Sequence, residues 1–396
     1  MQRMLRRKTK PAKALAFLFA LLIAGTSPAW VTAQEASPTS DSPFFNQEDF
    51  ERQLAQRDIA AEGPAEQPWI QAIEPEMVDT AQYATDAPWN LCFSNAGVNN
   101  PWRVVGWTTM QAEVALHPEI GEFTVLDADG DDNKQITDIS DLLGQNCSAL
   151  IVSPNTTEAL TPAVEQACAA NIPVIVFDRG VNTDCPVTFI HPIGGYAFGA
   201  DAAEFLVEQV PEGGNVLALR ILPGVDVLET RWAAADIIFQ QNDINVVGVE
   251  FSEGDRANVK QIVTDYIQQY GQIDGIWMDA GQDAVAAIEA FEDLGMDVPP
   301  ITGEDQQDFL QKWSDDGLTA VAPTYPNFQW RTPVIAATMI LSGEQVPSEW
   351  VLPQPLITSD NLADYLQPNM PPQHYALCGC EDMPGFPENW GGEPAN

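Results

Sequence analysis

The chain has 396 residues, room for two compact domains at roughly 100–200 residues each. It is 45% hydrophobic and 19% charged, the composition of a folded rather than a disordered protein. Seventeen Lys and Arg stand against 57 Asp and Glu, a formal net charge of −40, so phosphate backbones and anionic headgroups repel it and nucleic-acid binding is excluded.

Residues 1–33 read as a cleavable secretory leader. Six cations, the first Arg3 and the last Lys13, precede eleven apolar residues at 14–24 and a small-residue exit at Val31-Thr32-Ala33. A run of eleven is too short for a spanning helix, which needs about 20. Its removal leaves eleven cations against 57 anions, a net of −46, and the expected location is periplasmic or extracellular. Six Cys, at 92, 147, 168, 185, 378 and 380, are too few for a disulfide scaffold. Export permits bridges, but spacing does not choose among about fifteen pairings. Cys92, in an apolar run, reads as a small buried hydrophobe. Cys378-Gly-Cys380 reads as too close-spaced to bridge easily and, without companion His or Cys at ligand spacing, as a weak metal signal. No cofactor and no metal are expected.

Residues 34–87 are rich in Ala, Glu, Gln, Pro, Ser and Asp without a sustained period. They read as a solvated acidic linker, with a short helix possible only at 50–57. From Trp89 onward, short apolar runs at 90–94, 122–127, 148–152, 173–177, 187–191, 214–221, 245–251, 274–278 and 319–323 predict strands. Amphipathic stretches between them, at 101–116, 133–145, 157–170, 195–209, 229–241, 256–270 and 281–295, predict helices. This alternation means an α/β fold with two doubly wound parallel sheets. No dinucleotide fingerprint, Walker loop or zincin helix interrupts it. From Val351 the chain turns Pro-rich and ends in an irregular Gly/Pro tail.

Open parallel sheets bind ligands beyond the carboxyl ends of their strands. There the sequence places Asn100-Pro-Trp102-Arg103, Asp178-Arg179-Gly180, Arg231 on the helix after 222–226, Gln282 after 274–278, and Asp305 after Ile301. Three of the eleven cations left after the leader, Arg103, Arg179 and Arg231, fall at such ends. A guanidinium offers five rigid donors and stays charged. Together with Asp, Asn and Trp it suits a polyhydroxylated ring, whose hydroxyls take planar donors and acceptors and whose C–H faces take aromatic rings. Trp102, Trp232 and Trp277 are the tryptophans placed where such a ring could touch.

Asp127-Ala-Asp-Gly-Asp131, Lys134-Gln135, Leu150-Ile-Val-Ser-Pro154, Glu158-Ala-Leu160, Pro162-Ala-Val164 and Ile172-Pro-Val-Ile-Val-Phe-Asp-Arg-Gly180 follow one another in an order and spacing that resemble the type I periplasmic sugar-binding proteins of the ribose and galactofuranose kind. The likeness covers roughly 88–345. It implies two lobes joined by three hinge crossings, with a monosaccharide closed between them. The lobes would be 88–191 plus 326–353 and 192–325, with the third crossing and tail at 354–396. By the same resemblance Asn100 is a hydrogen-bonder, Trp102 a stacker and Arg103 the counterpart of the galactofuranose type's Arg. Asp178 and Arg179 match the sugar clamp, Arg231 the Arg of the second lobe's first helix, and Asp305 the Asp that closes a Gly-x-Asp strand end. Gly281-Gln282 replaces the family's Asn-Asp, Thr324 its hinge Gln, and Gly254 an aromatic of the ribose type. These departures count against ribose itself and leave the class intact.

Other chemistries fit less well. The acidic loop at Asp127, Asp129 and Asp131 has glycine at its fourth position rather than the sixth that an EF-hand turn requires. With 57 acids, chance carboxylate pairs carry no glycosidase signal. His117, His191 and His374 lie far apart in sequence, with no nucleophile elbow beside them. The implied protein is therefore not an enzyme. It is a monomeric exported receptor that hands a monosaccharide to an ABC permease and ATPase complex or, alternatively, a sensing subunit that docks on a membrane receptor. Intact mass of the protein recovered from a cell-envelope fraction is expected to place its first residue near Gln34; a full-length cytoplasmic product would refute the leader.

Overall fold

The computed structural model describes residues 42–394, and the leader read at 1–33 lies outside them. Two short elements open the described chain, α1 (Gln47–Gln56) and β1 (Met77–Val78). The first lobe follows as β2 (Trp89–Asn95), α2 (Pro101–Ala115), β3 (Ile120–Asp127), α3 (Asp132–Leu143), β4 (Ala149–Ser153), α4 (Thr157–Ala169), β5 (Val174–Phe177) and β6 (Thr188–Pro192). The second comprises α5 (Gly195–Gln209), β7 (Asn215–Arg220), α6 (Asp226–Gln241), β8 (Asn245–Phe251), α7 (Arg256–Tyr270), β9 (Gly275–Met278), α8 (Gly281–Asp293), β10 (Ile301–Thr302), α9 (Gln307–Asp316) and β11 (Ala320–Pro323). The chain then returns through α10 (Thr332–Ser342), β12 (Val346–Pro347), β13 (Glu349–Leu352) and β14 (Leu356–Ile357).

The first sheet runs β13-β6-β5-β4-β2-β3 and is parallel throughout. The second runs β14-β11-β10-β9-β7-β8, parallel except for its edge strand β14. Helices cover both faces, so central strands such as β4 and β5 are buried along their whole length and read as unbroken apolar runs. The chain passes between the sheets after β6, after β11 and after β13, which gives the three expected crossings. Thr324 at the second crossing donates its hydroxyl to the carbonyl of Pro355 at the third, 2.6 Å away. Helix starts follow local chemistry: Asn100, Asp131 and Asp255 cap α2, α3 and α7 with side-chain oxygens. Close backbone packing matters most at Gly199 of α5, where a Cβ would fall 1.9 Å from the carbonyl oxygen of Arg231. Only a glycine there lets α6 lie close enough to hold Arg231 over Phe198.

The segment read as a solvated linker is packed where it is described. Asn46 caps α1 by accepting from the N–H groups of Glu48 and Asp49. Phe50 is buried and meets Phe45 and Tyr196 at 5.7 Å. Gln53 accepts from the N–H of Tyr196, and Arg57 pairs with Asp201 at 2.6 Å on α5. Arg52 reaches the other lobe at Glu349, so α1 straddles the first crossing. Trp69 lies under the Arg331 guanidinium at 3.6 Å, and β1 pairs antiparallel with β12. Sparse aromatic anchors in polar surroundings carry no period, and so the composition misrepresents this segment.

The cysteines also correct the sequence reading. Cys92 is bonded to Cys147, Cys168 to Cys185, and even the close-spaced Cys378 and Cys380 to each other. By chain-entropy arithmetic the first two contribute about 4 and 3 kcal/mol respectively. The first pins the loop after α3 to β2, and the second pins α4 to the loop between β5 and β6.

Phe50→Ala is expected to cost about 3 kcal/mol in urea unfolding, the scale of a buried Phe truncation. A solvated linker would show no change.

Candidate functional site

Loops beyond the carboxyl ends of strands in both sheets line one cavity of about 790 Å³. Seven of the eight expected residues line it: Asn100, Trp102, Arg103, Asp178, Arg179, Arg231 and Gln282. Asp305 does not.

Arg103 enters from the first turn of α2 and is 2% exposed. Its Nη2 meets Asp178 Oδ2 at 2.7 Å, and Nη1 donates to Ser153 Oγ at 3.2 Å. Burial pushes this guanidinium down to about 10, and Asp178 opposes the shift. Asp178 itself holds a left-handed backbone, φ 70°, unusual for a side chain with a Cβ, and its carbonyl accepts from the Tyr325 hydroxyl at 3.1 Å. The expected Asp178–Arg179 clamp is therefore differently partnered. Arg179 Nε stands 4.0 Å from Asp178 while its Nη1 donates to the carbonyl of Asn155. Asn100 spends its side-chain oxygen on the N–H of Arg103.

Trp102 is half-buried rather than free on the rim. Its indole N–H donates to the carbonyl of Tyr325 at 2.9 Å, and its ring lies 5.5 Å from that of Trp330. Trp277 is wholly buried and Trp232 packs on it at 5.4 Å, so both belong to the core of the second lobe.

In the second lobe Arg231 lies 3.8 Å from the ring of Phe198 and 5.2 Å from that of Tyr325. It donates to the carbonyl of Asp279 at 2.8 Å and pairs with Glu304 at 3.1 Å. Glu304, not Asp305, faces the cavity. Asp305 turns inward and accepts from the N–H of Leu377 at 2.9 Å, while its carbonyl accepts from Ala376. Its task in the fold is to hold the tail. Burial, reinforced by Glu304, pushes Asp305 up to about 7, and burial does the same to Asp279 against the pull of Arg231. Gln282 is fixed through its backbone, its N–H on Gln306 and its carbonyl under Arg256.

Sequence reasoning missed Tyr325, Glu304 and one whole wall of the cavity. That wall is the tail, which contributes Gln373, His374, Tyr375 and Trp390. Its lone aromatics and buried cysteines were the available signal, masked by the surrounding Pro and Gly.

Asp279 faces Arg231, Arg220, Glu304 and Asp283. A carboxyl raised from the usual range near 4 to about 7 contributes stability that is complete below pH ~4 and lost as pH rises toward 7. The midpoint of thermal unfolding without ligand should therefore fall as pH rises from about 4 to 7. Asp279→Asn keeps the acceptor for the N–H of Ile221 and should flatten that slope by on the order of 1 kcal/mol. An unchanged slope would show that Asp279 is ionised throughout.

Comparison with known proteins places this geometry. Over 222 residues the chain is 27% identical to the ribose import binding protein RbsB of Bacillus subtilis (strain 168), spanning 56% of this chain and 72% of that one. Its fold is similar to an ABC transporter solute binding protein from Thermobispora bispora DSM 43833, with a TM-score of 0.65 at 22% identity, covering 78% of this chain and 98% of the other. It is equally similar, at TM-score 0.65 and 22% identity, to one from Bacillus halodurans C-125 with bound myo-inositol, covering 71% and 98% of the two chains. The family model for the periplasmic binding protein domain matches residues 91–345. Two parallel-sheet lobes, three crossings and that match over more than half of its length establish that this chain belongs to the periplasmic binding protein family.

Proposed function

We propose that this protein is exported, captures a monosaccharide or cyclic polyol between its two lobes, and presents it to an ABC-type importer without performing chemistry on it. One observation carries the reading: a single cavity draws Arg103, Asp178 and Arg179 from one lobe and Arg231, Gln282 and Glu304 from the other. Donors and acceptors from both sides, with Trp102 and Tyr325 as aromatic faces, suit a ring edged by hydroxyls and faced by C–H bonds. Relatives named for ribose and a fold neighbour holding myo-inositol support the ligand class. In this reading the sugar selects the closed arrangement of the lobes and the importer reads closure. Micromolar capture corresponds to about −8 kcal/mol.

Calorimetric titration with a panel of pentoses, hexoses and cyclic polyols is expected to find a ligand, and small-angle scattering to show a smaller radius of gyration when it is bound. A panel without binding would overturn the reading. Arg179→Ala should weaken the ligand found by on the order of 30-fold, the scale of one charge-assisted hydrogen bond, and Arg179→Lys nearly as much because a point charge lacks the planar fork. Folding should survive both. Arg103→Ala, in contrast, strands Asp178 in the interior and should cost about 3–5 kcal/mol of stability.

A further inference from the structure

The wall that the second lobe gives the cavity holds a carboxyl with binding capacity unspent. Asp283, in the first turn of α8, lines the cavity and is wholly buried. Its Oδ2 accepts from the Ser252 hydroxyl at 2.5 Å, while its Oδ1 has no hydrogen-bond partner among the described residues. A buried carboxyl oxygen left unpaired is costly and points to a partner from outside the chain. Burial favours the protonated form of Asp283, and the Ser252 hydrogen bond opposes it. A hydroxyl serves either form because it both donates and accepts, whereas an ammonium serves only the carboxylate.

Space stands beside this carboxyl. Glu253 and Gly254, in the loop after β8, line the cavity with left-handed backbones, φ 56° and 69°. Among the described residues, a Cβ at Gly254 would meet only the side-chain nitrogen of Gln282, at 3.8 Å, so the loop leaves a recess. The N–H of Gly254 donates to the same Ser252 hydroxyl at 3.3 Å, which sets the recess next to Asp283. Its walls are fixed by other bonds. The N–H of Glu253 donates to the carbonyl of Ile221, that of Gln282 to Gln306, and Arg256 to the carbonyl of Gln282.

We propose that this recess takes an exocyclic hydroxymethyl arm, with Asp283 as the hydrogen-bond partner of its hydroxyl, so that the ligand is a hexose rather than a pentose. The inference rests on the sugar-binding reading of the cavity and narrows it. Ring hydroxyls are fixed in direction and suit groups that stand partly exposed at the cavity wall, such as Arg179 and Gln282. An enclosed carboxyl is better reached by a hydroxyl carried on one further carbon and free to rotate. A site built to pair a substrate hydroxyl discriminates strongly against the analogue lacking it, because its own buried group is then left unpaired.

The test is calorimetry with sugars that share a ring and differ in the arm: D-glucose with D-xylose, D-galactose with L-arabinose, D-mannose with D-lyxose, D-allose with D-ribose. The tightest ligand is expected to be a hexose, bound about tenfold or more tightly than its pentose partner, the scale of a hydrogen bond to a buried carboxyl. The same hexose lacking only the arm's hydroxyl should bind as weakly as the pentose. In Asp283→Ala the ratio between the hexose and that deoxy analogue should collapse toward one. The assignment is overturned by a pentose as the tightest ligand, by equal wild-type binding of the hexose and its deoxy analogue, or by a ratio that survives in Asp283→Ala. Tighter binding of the analogue with an amine in place of the arm's hydroxyl would overturn it too. Binding of a cyclic polyol alone would overturn it while leaving the wider reading intact, whereas silence from every pentose, hexose and polyol would overturn that reading itself.

Discussion

Three buried guanidiniums hold together chain segments that are remote in sequence. Arg103 ties the start of α2 to the loop after β5 through Asp178. Arg231 ties α6 to Glu304 and lies against the ring of Tyr325 at the second crossing. Arg331 pairs with Glu113 at 2.7 Å, donates to the carbonyl of Gly379 in the tail, and covers Trp69 of the N-terminal segment. Each is under 5% exposed. Only Asp178 has a second guanidinium close by among these partners, Arg179 at 4.0 Å. A buried ion pair contributes little net stability against an apolar replacement, yet losing one partner alone is expensive. The arrangement therefore fixes geometry more than it adds stability.

That fixing bears on the cavity. Arg103 and Arg231 arrive there already engaged, with their orientations set by Asp178 and Glu304 and by aromatic faces. A ligand would meet donors that need no reordering, which lowers the entropic cost of binding. It would also find only the donors left over, so discrimination rests on the match of hydroxyl positions to a few fixed atoms. The raised carboxyls of Asp279 and Asp305 fit the same picture: burial favours the protonated form of each, and the nearby Arg231 only partly opposes it.

Much of this was legible in the sequence, for physical reasons. Strands buried on both faces must be runs such as Ala149-Leu-Ile-Val and Val174-Ile-Val-Phe177, and helices between them must be amphipathic, so the paired sheets follow from hydrophobic spacing alone. Residues at the carboxyl ends of those strands had to meet, and seven of eight did. What failed was local detail and the described segments that flank the lobes, 42–87 and 354–394. Asp305 sits one position from the cavity-facing Glu304, a difference that strand direction alone does not resolve. Cys92 looked apolar because a disulfide in a core occupies the same surroundings as a small hydrophobe. Phe50, Trp69 and Trp390 are single anchors in irregular chain, and no periodic pattern reports them.

The docking of the tail has a consequence for the proposed capture of solute. One flank is closed by the tail, whose residues hold to Asp305 and Gln307 on one side and to Phe328, Arg331 and Thr109 on the other. Because that flank is walled by chain tethered to both lobes, a swing of the lobes would not part it as it parts two free surfaces. In the proposed role, solute exchange would then fall to the opposite rim. The docked tail, which lines the cleft through Gln373, His374, Tyr375 and Trp390, would thereby set the side from which the cleft is entered.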